Sequence, residues 1–203
     1  MTTIVYKKTY SAPPIDRIEA LRYAGVRGKS EEAEELLGEC IRDAESVLTY
    51  KLTYAELPVS RDGNSVDFGF AKAHSEKLSS HLSDCESVII FAATVGIGID
   101  RLIAKASRTS PSRSLMLQGL GAERTEALCD LFEEEMRAKK ATEGRGITHR
   151  FSAGYGDLSL EFQREIFRLL DCQKGIGLTL SESLLMSPTK SVTAIIGVKK
   201  AEK

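Results

Sequence analysis

Residues 150–157 read Arg-Phe-Ser-Ala-Gly-Tyr-Gly-Asp and bring a guanidinium, two glycines and an aromatic hydroxyl into one short stretch. Arg150 offers a planar fork of N–H donors that fits a carboxylate bidentately. Glycine lacks the Cβ that keeps a ligand off the main chain, so backbone at Ser152, Ala153 and Gly154 is suited to donate to and accept from a ligand's polar edges. Tyr155 adds a flat face and a hydroxyl. The same residues also read as an ordinary turn with a structural arginine, and local chemistry leaves the two readings level. Upstream, Glu126 and Asp130 are i, i+4 neighbours. Such carboxylates suit either solvent or a bound ammonium group.

Other candidates carry less. Gly96-Ile97-Gly98-Ile99-Asp100-Arg101 has arginine where a GxGxxG phosphate loop needs its third glycine, so the two glycines read as backbone shape. His74 and His81 stand seven apart on one expected helix, about two turns, too far to share a metal ion. They and His149 read as surface or structural histidines. No GxSxG elbow occurs. The four cysteines, at 40, 85, 129 and 172, form no CxxC pair and read as reduced, buried thiols with no metal site. The run Glu133-Glu134-Glu135 reads as a solvated helix face. No catalytic acid, base or nucleophile is expected.

These residues must be held by a fold that 203 residues at 42% hydrophobic and 28% charged can build as a single domain, 1–203. The net charge of −1 and the absence of tryptophan argue against a nucleic-acid surface. No apolar run is long enough to span a membrane, and residues 1–10 do not resemble a leader, so the expected location is the cytoplasm. Along the chain the pattern predicts an edge strand at 2–10, a helix at 14–23 opened by Pro13-Pro14, and a helix from 31 to about 47 capped by Ser30. A hairpin of strands 48–57 and 65–70 follows, then a helix at 71–84 and a buried strand at 87–94. Helices at 97–108 and about 112–140 come next, the second long and amphipathic. A glycine-rich bend at 144–146, the best candidate for a hinge, leads to a short strand at 147–151. A helix at 159–171 and strands at 176–181 and 191–198 complete the pattern. Strands and helices do not alternate strictly, which predicts an α+β fold with a mixed, largely antiparallel twisted sheet flanked by helices.

The stretch 147–198 resembles the activation (reactivation) domain of cobalamin-dependent methionine synthase. Arg150, Gly154 and Tyr155 match that family's RxxxGY motif. Leu180, Glu182, Ser183, Met186, Pro188, Ser191 and Val192 match a second motif, with Ser181 in place of threonine.

The resemblance implies a site for S-adenosylmethionine. Arg150 would pair with its carboxylate, backbone at Ser152, Ala153 and Gly154 with its polar edges, and Tyr155 would flank it, while Glu126 would meet its ammonium group. It implies a reactivation subunit that supports reductive methylation of cob(II)alamin on a separate cobalamin-binding methionine synthase, with an electron from a flavodoxin- or ferredoxin-type donor. As a methyltransferase component it would not turn over alone. The chain lacks a cobalamin-ligating DxHxxG motif, so cobalamin would come only through the partner. The alternatives are a reactivation partner of another corrinoid methyltransferase, and a non-catalytic S-adenosylmethionine sensor or cobalamin-protein chaperone.

Overall fold

The structure is a computed structural model that describes residues 3–201. The chain begins with β1 (Tyr6–Tyr10), α1 (Arg17–Tyr23), α2 (Glu31–Glu45) and β2 (Tyr50–Pro58). Three short strands follow, β3 (Ser60–Asp62), β4 (Ser65–Asp67) and β5 (Lys72–His74), then α3 (Glu76–His81) and β6 (Cys85–Thr94). Helices α4 (Ile97–Ala106) and α5 (Pro111–Ala141) precede α6 (Phe162–Leu170) and α7 (Cys172–Ile176). The chain finishes with β7 (Thr179–Leu180), β8 (Met186–Ser187) and β9 (Ser191–Lys199).

The main sheet is antiparallel throughout, in the order β1-β2-β6-β9. Successive residues of a strand face opposite sides, and here both sides are covered. Leu52, Tyr54, Ile89, Phe91 and Ala93 pack with buried residues of α1, α2, α4 and α5. Ala55, Leu57, Val88, Ile90 and Ala92 pack with those of α3, α6 and α7. Central β6 is therefore apolar on both faces, as its sequence suggested. The α+β class and the largely antiparallel sheet agree with expectation.

Local signals set most helix starts. Ser30 Oγ accepts from the Ala33 amide at 3.2 Å, and Ser110 caps α5 with Pro111 in the first turn. The start of α1 is a correction. Asp16, not the proline pair, caps it by accepting from the Glu19 amide at 3.0 Å. Its Ile18 is 78% exposed, while Ala20 is buried.

The region 60–84 is also corrected. The strand expected at 65–70 shrinks to β4 and pairs with β3 and β5 in a separate three-stranded sheet, while β2 pairs with β1 and β6. The helix expected at 71–84 divides into β5 and α3, so His74 and His81 share no helix. Ser75 explains the break, because its hydroxyl caps α3 by accepting from the Leu78 amide. The strand expected at 2–10 is β1, with Thr2 outside the described residues. The 144–146 bend is tied down: the Arg145 amide donates to Lys140 O, and Gly146 O accepts from the Lys199 amide.

Long helix α5 crosses α1 at Gly119. A Cβ there would lie 2.5 Å from Ala24 N and 2.6 Å from Ala20 O. One turn on, Glu123 and Arg124 are buried as an ion pair, with Arg124 fully enclosed. Arg124 also donates to the carbonyls of Pro13 and Pro14, each at 2.6 Å. Glu123 accepts from the Asp16 amide at 3.0 Å. This pair fixes the segment before α1 to the helix that also carries Glu126 and Asp130.

Candidate functional site

Two bridges hold the segment before the glycine turn against β9. Phe151 exchanges both backbone hydrogen bonds with Ile195, at 2.8 and 2.9 Å, and Ile147 pairs with Val198. The strand expected at 147–151 is thus realised as two isolated bridges at the sheet's edge. Phe151 is buried, and its ring lies between two others: His81 at 5.3 Å, and Tyr155, edge-on, also at 5.3 Å. His81 Nε2 is 2.9 Å from the His149 carbonyl, which fixes that imidazole to the same segment.

Arg150 points to α5. Its Nη2 lies 2.7 Å from Asp130 Oδ1 and 3.1 Å from Glu126 Oε2, and its Nε lies 3.7 Å from Glu133 Oε2. Residues 126, 130 and 133 follow i, i+4, i+7 spacing, so one face of α5 presents three carboxylates to one guanidinium. Burial alone would pull the Arg150 pKa down. Cys129, Asp130, Glu126 and Glu133 outweigh it, so the proton is held more tightly than on an ordinary arginine. Nη1 of Arg150 is enclosed and has no hydrogen-bond partner among the described residues. A buried charged donor left unpaired is costly, and this nitrogen faces the interior near Cys129.

The turn after Arg150 is closed by its own backbone. Gly154 N donates to Leu158 O at 2.9 Å, and Tyr155 N to Ser152 O at 3.1 Å. Gly154 has φ 86°, a left-handed conformation that glycine adopts without strain. Ala153 is buried, and Tyr155 stands out at 66% exposure. Asp157 locks the turn to α3, accepting from the Ser75 hydroxyl and the Glu76 and Lys77 amides. The Ser75 hydroxyl, with those amides, holds the Asp157 carboxyl below the usual carboxylate range. A groove of about 770 Å³ opens beside the turn, lined by Lys77, His81, His149, Arg150, Phe151 and Tyr155 among others. A second cleft, about 350 Å³, is lined by Glu126 and Asp130 and lies between α5 and the Pro13–Asp16 segment.

The structure thus brings Arg150, Ser152, Ala153, Gly154, Tyr155 and Glu126 into one region. It adds Asp130, Glu133, Phe151 and His81, which the sequence did not single out as a set. The acidic run is corrected: Glu133 and Glu135 are half-buried. Glu133 faces Arg150 and pairs with Arg137, and Glu135 accepts from Lys8 and Tyr10. The i, i+7 spacing from Glu126 is the available signal for Glu133, but a charge run does not show which face a sheet covers. Gly96 and Gly98 serve close packing, since a Cβ on Gly98 would lie 2.3 Å from Val47 O. Among the described residues no group of His, Cys, Asp or Glu is arranged to hold a metal ion. No described helix is long and apolar enough to cross a membrane.

The family model described as vitamin B12 dependent methionine synthase, activation domain, matches residues 76–203, well over half of the chain. The chain belongs to this family. The match takes in α5, the Arg150 segment and the glycine turn, so Arg150, the carboxylates facing it and Tyr155 lie inside it. The fold agrees as well. A crystal structure of the MetH reactivation domain bound to AdoHcy superposes with a TM-score of 0.74 at 18% identity, covering 98% of this chain and 79% of that one. No curated protein matches the chain in sequence.

Proposed function

We propose that the chain binds S-adenosylmethionine in the groove beside Tyr155 and acts as a reactivation subunit. In that role it supports reductive methylation of cob(II)alamin on a separate cobalamin-binding methionine synthase subunit, with the electron coming from a flavodoxin- or ferredoxin-type donor. Family membership supports the reactivation role, and the AdoHcy carried by the fold relative supports the ligand class.

The observation that carries the reading is the charge balance at Arg150. One guanidinium faces three carboxylates, a local excess of negative charge, and Arg150 also lines the groove beside Tyr155. S-adenosylmethionine has one carboxylate and two cations, an ammonium and a sulfonium. The ligand carboxylate suits the guanidinium where Arg150 lines the groove, and the excess negative charge of Glu126, Asp130 and Glu133 favours a ligand with two cations. Ion pairs between Arg150 and α5 therefore hold the guanidinium in place at the groove's edge. Tyr155, packed against Phe151, lines the groove. Backbone at Ser152 to Gly154 borders the turn, with the Gly154 amide already committed to Leu158.

Bound S-adenosylmethionine supplies an electrophilic methyl group. The chain's residues need only hold it in line with the acceptor, a proximity effect that reaches roughly 7–11 kcal/mol in favourable cases. No acid or base from the chain is needed for that task.

Calorimetric titration with S-adenosylmethionine, wild type against Arg150→Ala, tests the site. A charge-assisted contact of about 1.5–3 kcal/mol corresponds to a loss of roughly 10- to 150-fold in affinity. Equal affinity would overturn the site. Mixing the chain with a cobalamin-loaded synthase lacking its own activation region, a reductant and S-adenosylmethionine tests the role. No methylcobalamin with the wild-type chain would overturn it.

A further inference from the structure

The helical face between α1 and α2 bears an apolar groove that the chain does not fill. Its volume is about 890 Å³, and its apolar lining is Ile18, Leu21 and Val26. Ile18 falls on the spacing of a buried helix face, yet it is 78% exposed. A second hollow, sharing Val26, extends the strip to Leu115, itself 54% exposed. Apolar residues gathered in this way mark a contact surface more than a random scatter does.

Charge along the rim narrows the occupant. The α2 wall carries Glu31, Glu32 and Glu35, which make no ion pair among the described residues. The cations of the α1 wall are already used: Arg17 pairs with Glu34 at 2.7 Å, and Arg22 with Glu19 at 2.6 Å. Lys29 is the one further cation lining the groove. The unpaired rim is therefore net acidic. An anionic membrane or nucleic acid would be repelled. A two-fold pairing of this face with its copy would set acidic wall against acidic wall.

We propose that this groove receives an amphipathic helix of a partner protein, with apolar residues at i, i+3, i+4 and i+7 against its apolar lining and a Lys/Arg flank along α2. The proposal is independent of the adenosylmethionine site, and its test uses no such ligand.

The test titrates the full chain with two 14-residue helical model peptides that share the leucine positions and differ only in flank, lysine in one and glutamate in the other. Isotope-edited NMR locates the contact. The expected result is binding of the lysine peptide at least tenfold tighter than the glutamate peptide, with shifts on α1, α2 and the start of α5. Ile18→Asp and the double variant Glu31→Lys, Glu35→Lys should each lower that affinity at least tenfold. Both alter exposed side chains, and an unchanged spectrum elsewhere verifies the fold. Equal binding of the two peptides, shifts centred on another face, or full affinity in Ile18→Asp would overturn the proposal. So would a dimer in sedimentation that Ile18→Asp dissolves, because the occupant would then be a second copy.

Discussion

Arg150 Nη2 lies 2.7 Å from Asp130 Oδ1, and that pair joins the edge of the sheet to the C-terminal half of α5. Asp130 is well exposed at 63% of its side chain, so the pair adds little to stability: exposed ion pairs are worth about 0–1 kcal/mol. Its weight falls on binding. Asp130→Asn should leave the melting temperature within a few degrees of wild type and weaken S-adenosylmethionine binding by about 3- to 10-fold, because Arg150 loses a carboxylate that holds it in place at the groove. Calorimetry and a thermal melt on the same sample check both halves. A large drop in melting temperature with unchanged affinity would assign Asp130 to the fold instead.

The neighbouring buried pair behaves oppositely. Arg124 is fully enclosed and holds Glu123 and two proline carbonyls, while Tyr50 lies beside it. Arg124→Met leaves the Glu123 charge buried without its partner, a loss of about 3–5 kcal/mol. For a chain of this size that corresponds to a fall of roughly 6–20 °C in melting temperature. Replacing both residues, Glu123→Leu with Arg124→Met, should cost less than Arg124→Met alone, since no charge is stranded. Differential scanning calorimetry on the three proteins decides it. A double variant less stable than the single one would refute this account of the pair.

Asp157 gives the site a pH dependence of known sign. The Ser75 hydroxyl and the Glu76 and Lys77 amides favour its charged form in the folded state, so its folded pKa lies below the unfolded value of about 3.9. Such a group contributes stability above the unfolded pKa and loses it as pH falls through the folded one. Asp157→Asn should therefore be less stable than wild type at pH 7, and the difference should shrink as pH falls below about 4. Urea titrations at pH 7 and near pH 3 measure it. Since Asp157 ties the glycine turn to α3, the same variant should weaken S-adenosylmethionine binding at neutral pH.

The sequence revealed the long helix, the buried central strand and the Arg150–Tyr155 turn because each depends on local periodicity or a short motif. It misread what depends on partners far along the chain. Ser60–His74 looked like a hairpin arm and a helix, but β2 is already paired on both edges, which leaves these residues to make a sheet of their own. The Glu133-Glu134-Glu135 run looked uniformly solvated, but the chain brings Arg150 to its first member and Lys8 with Tyr10 to its last. Arg124 sat among charged residues with no sign of burial, because the carbonyls that satisfy it lie more than a hundred residues away. The clustering of Arg150 with Glu126 and Asp130 was only half visible: the i, i+4 spacing showed the acids, and only the edge bridges to β9 show what they face.

Glycines offer a test of the packing that holds α5 under this site. Gly119 sits where α1 crosses, and a Cβ there would fall 2.5 Å from Ala24 N and 2.6 Å from Ala20 O, both backbone atoms that yield only if α1 moves. Gly119→Ala should destabilise by about 1–3 kcal/mol, the usual cost of overpacking. It should also disturb the Pro13–Asp16 segment that α5 clasps. Gly38, inside α2, meets only the far end of Arg42 at 3.7 Å. There an added methyl removes glycine's entropic disadvantage, so Gly38→Ala should stabilise by roughly 0.5–1 kcal/mol. Chemical denaturation of the two variants separates crowding from helix propensity. If both substitutions stabilise, α1 and α5 are not in the close contact that positions the carboxylates facing Arg150.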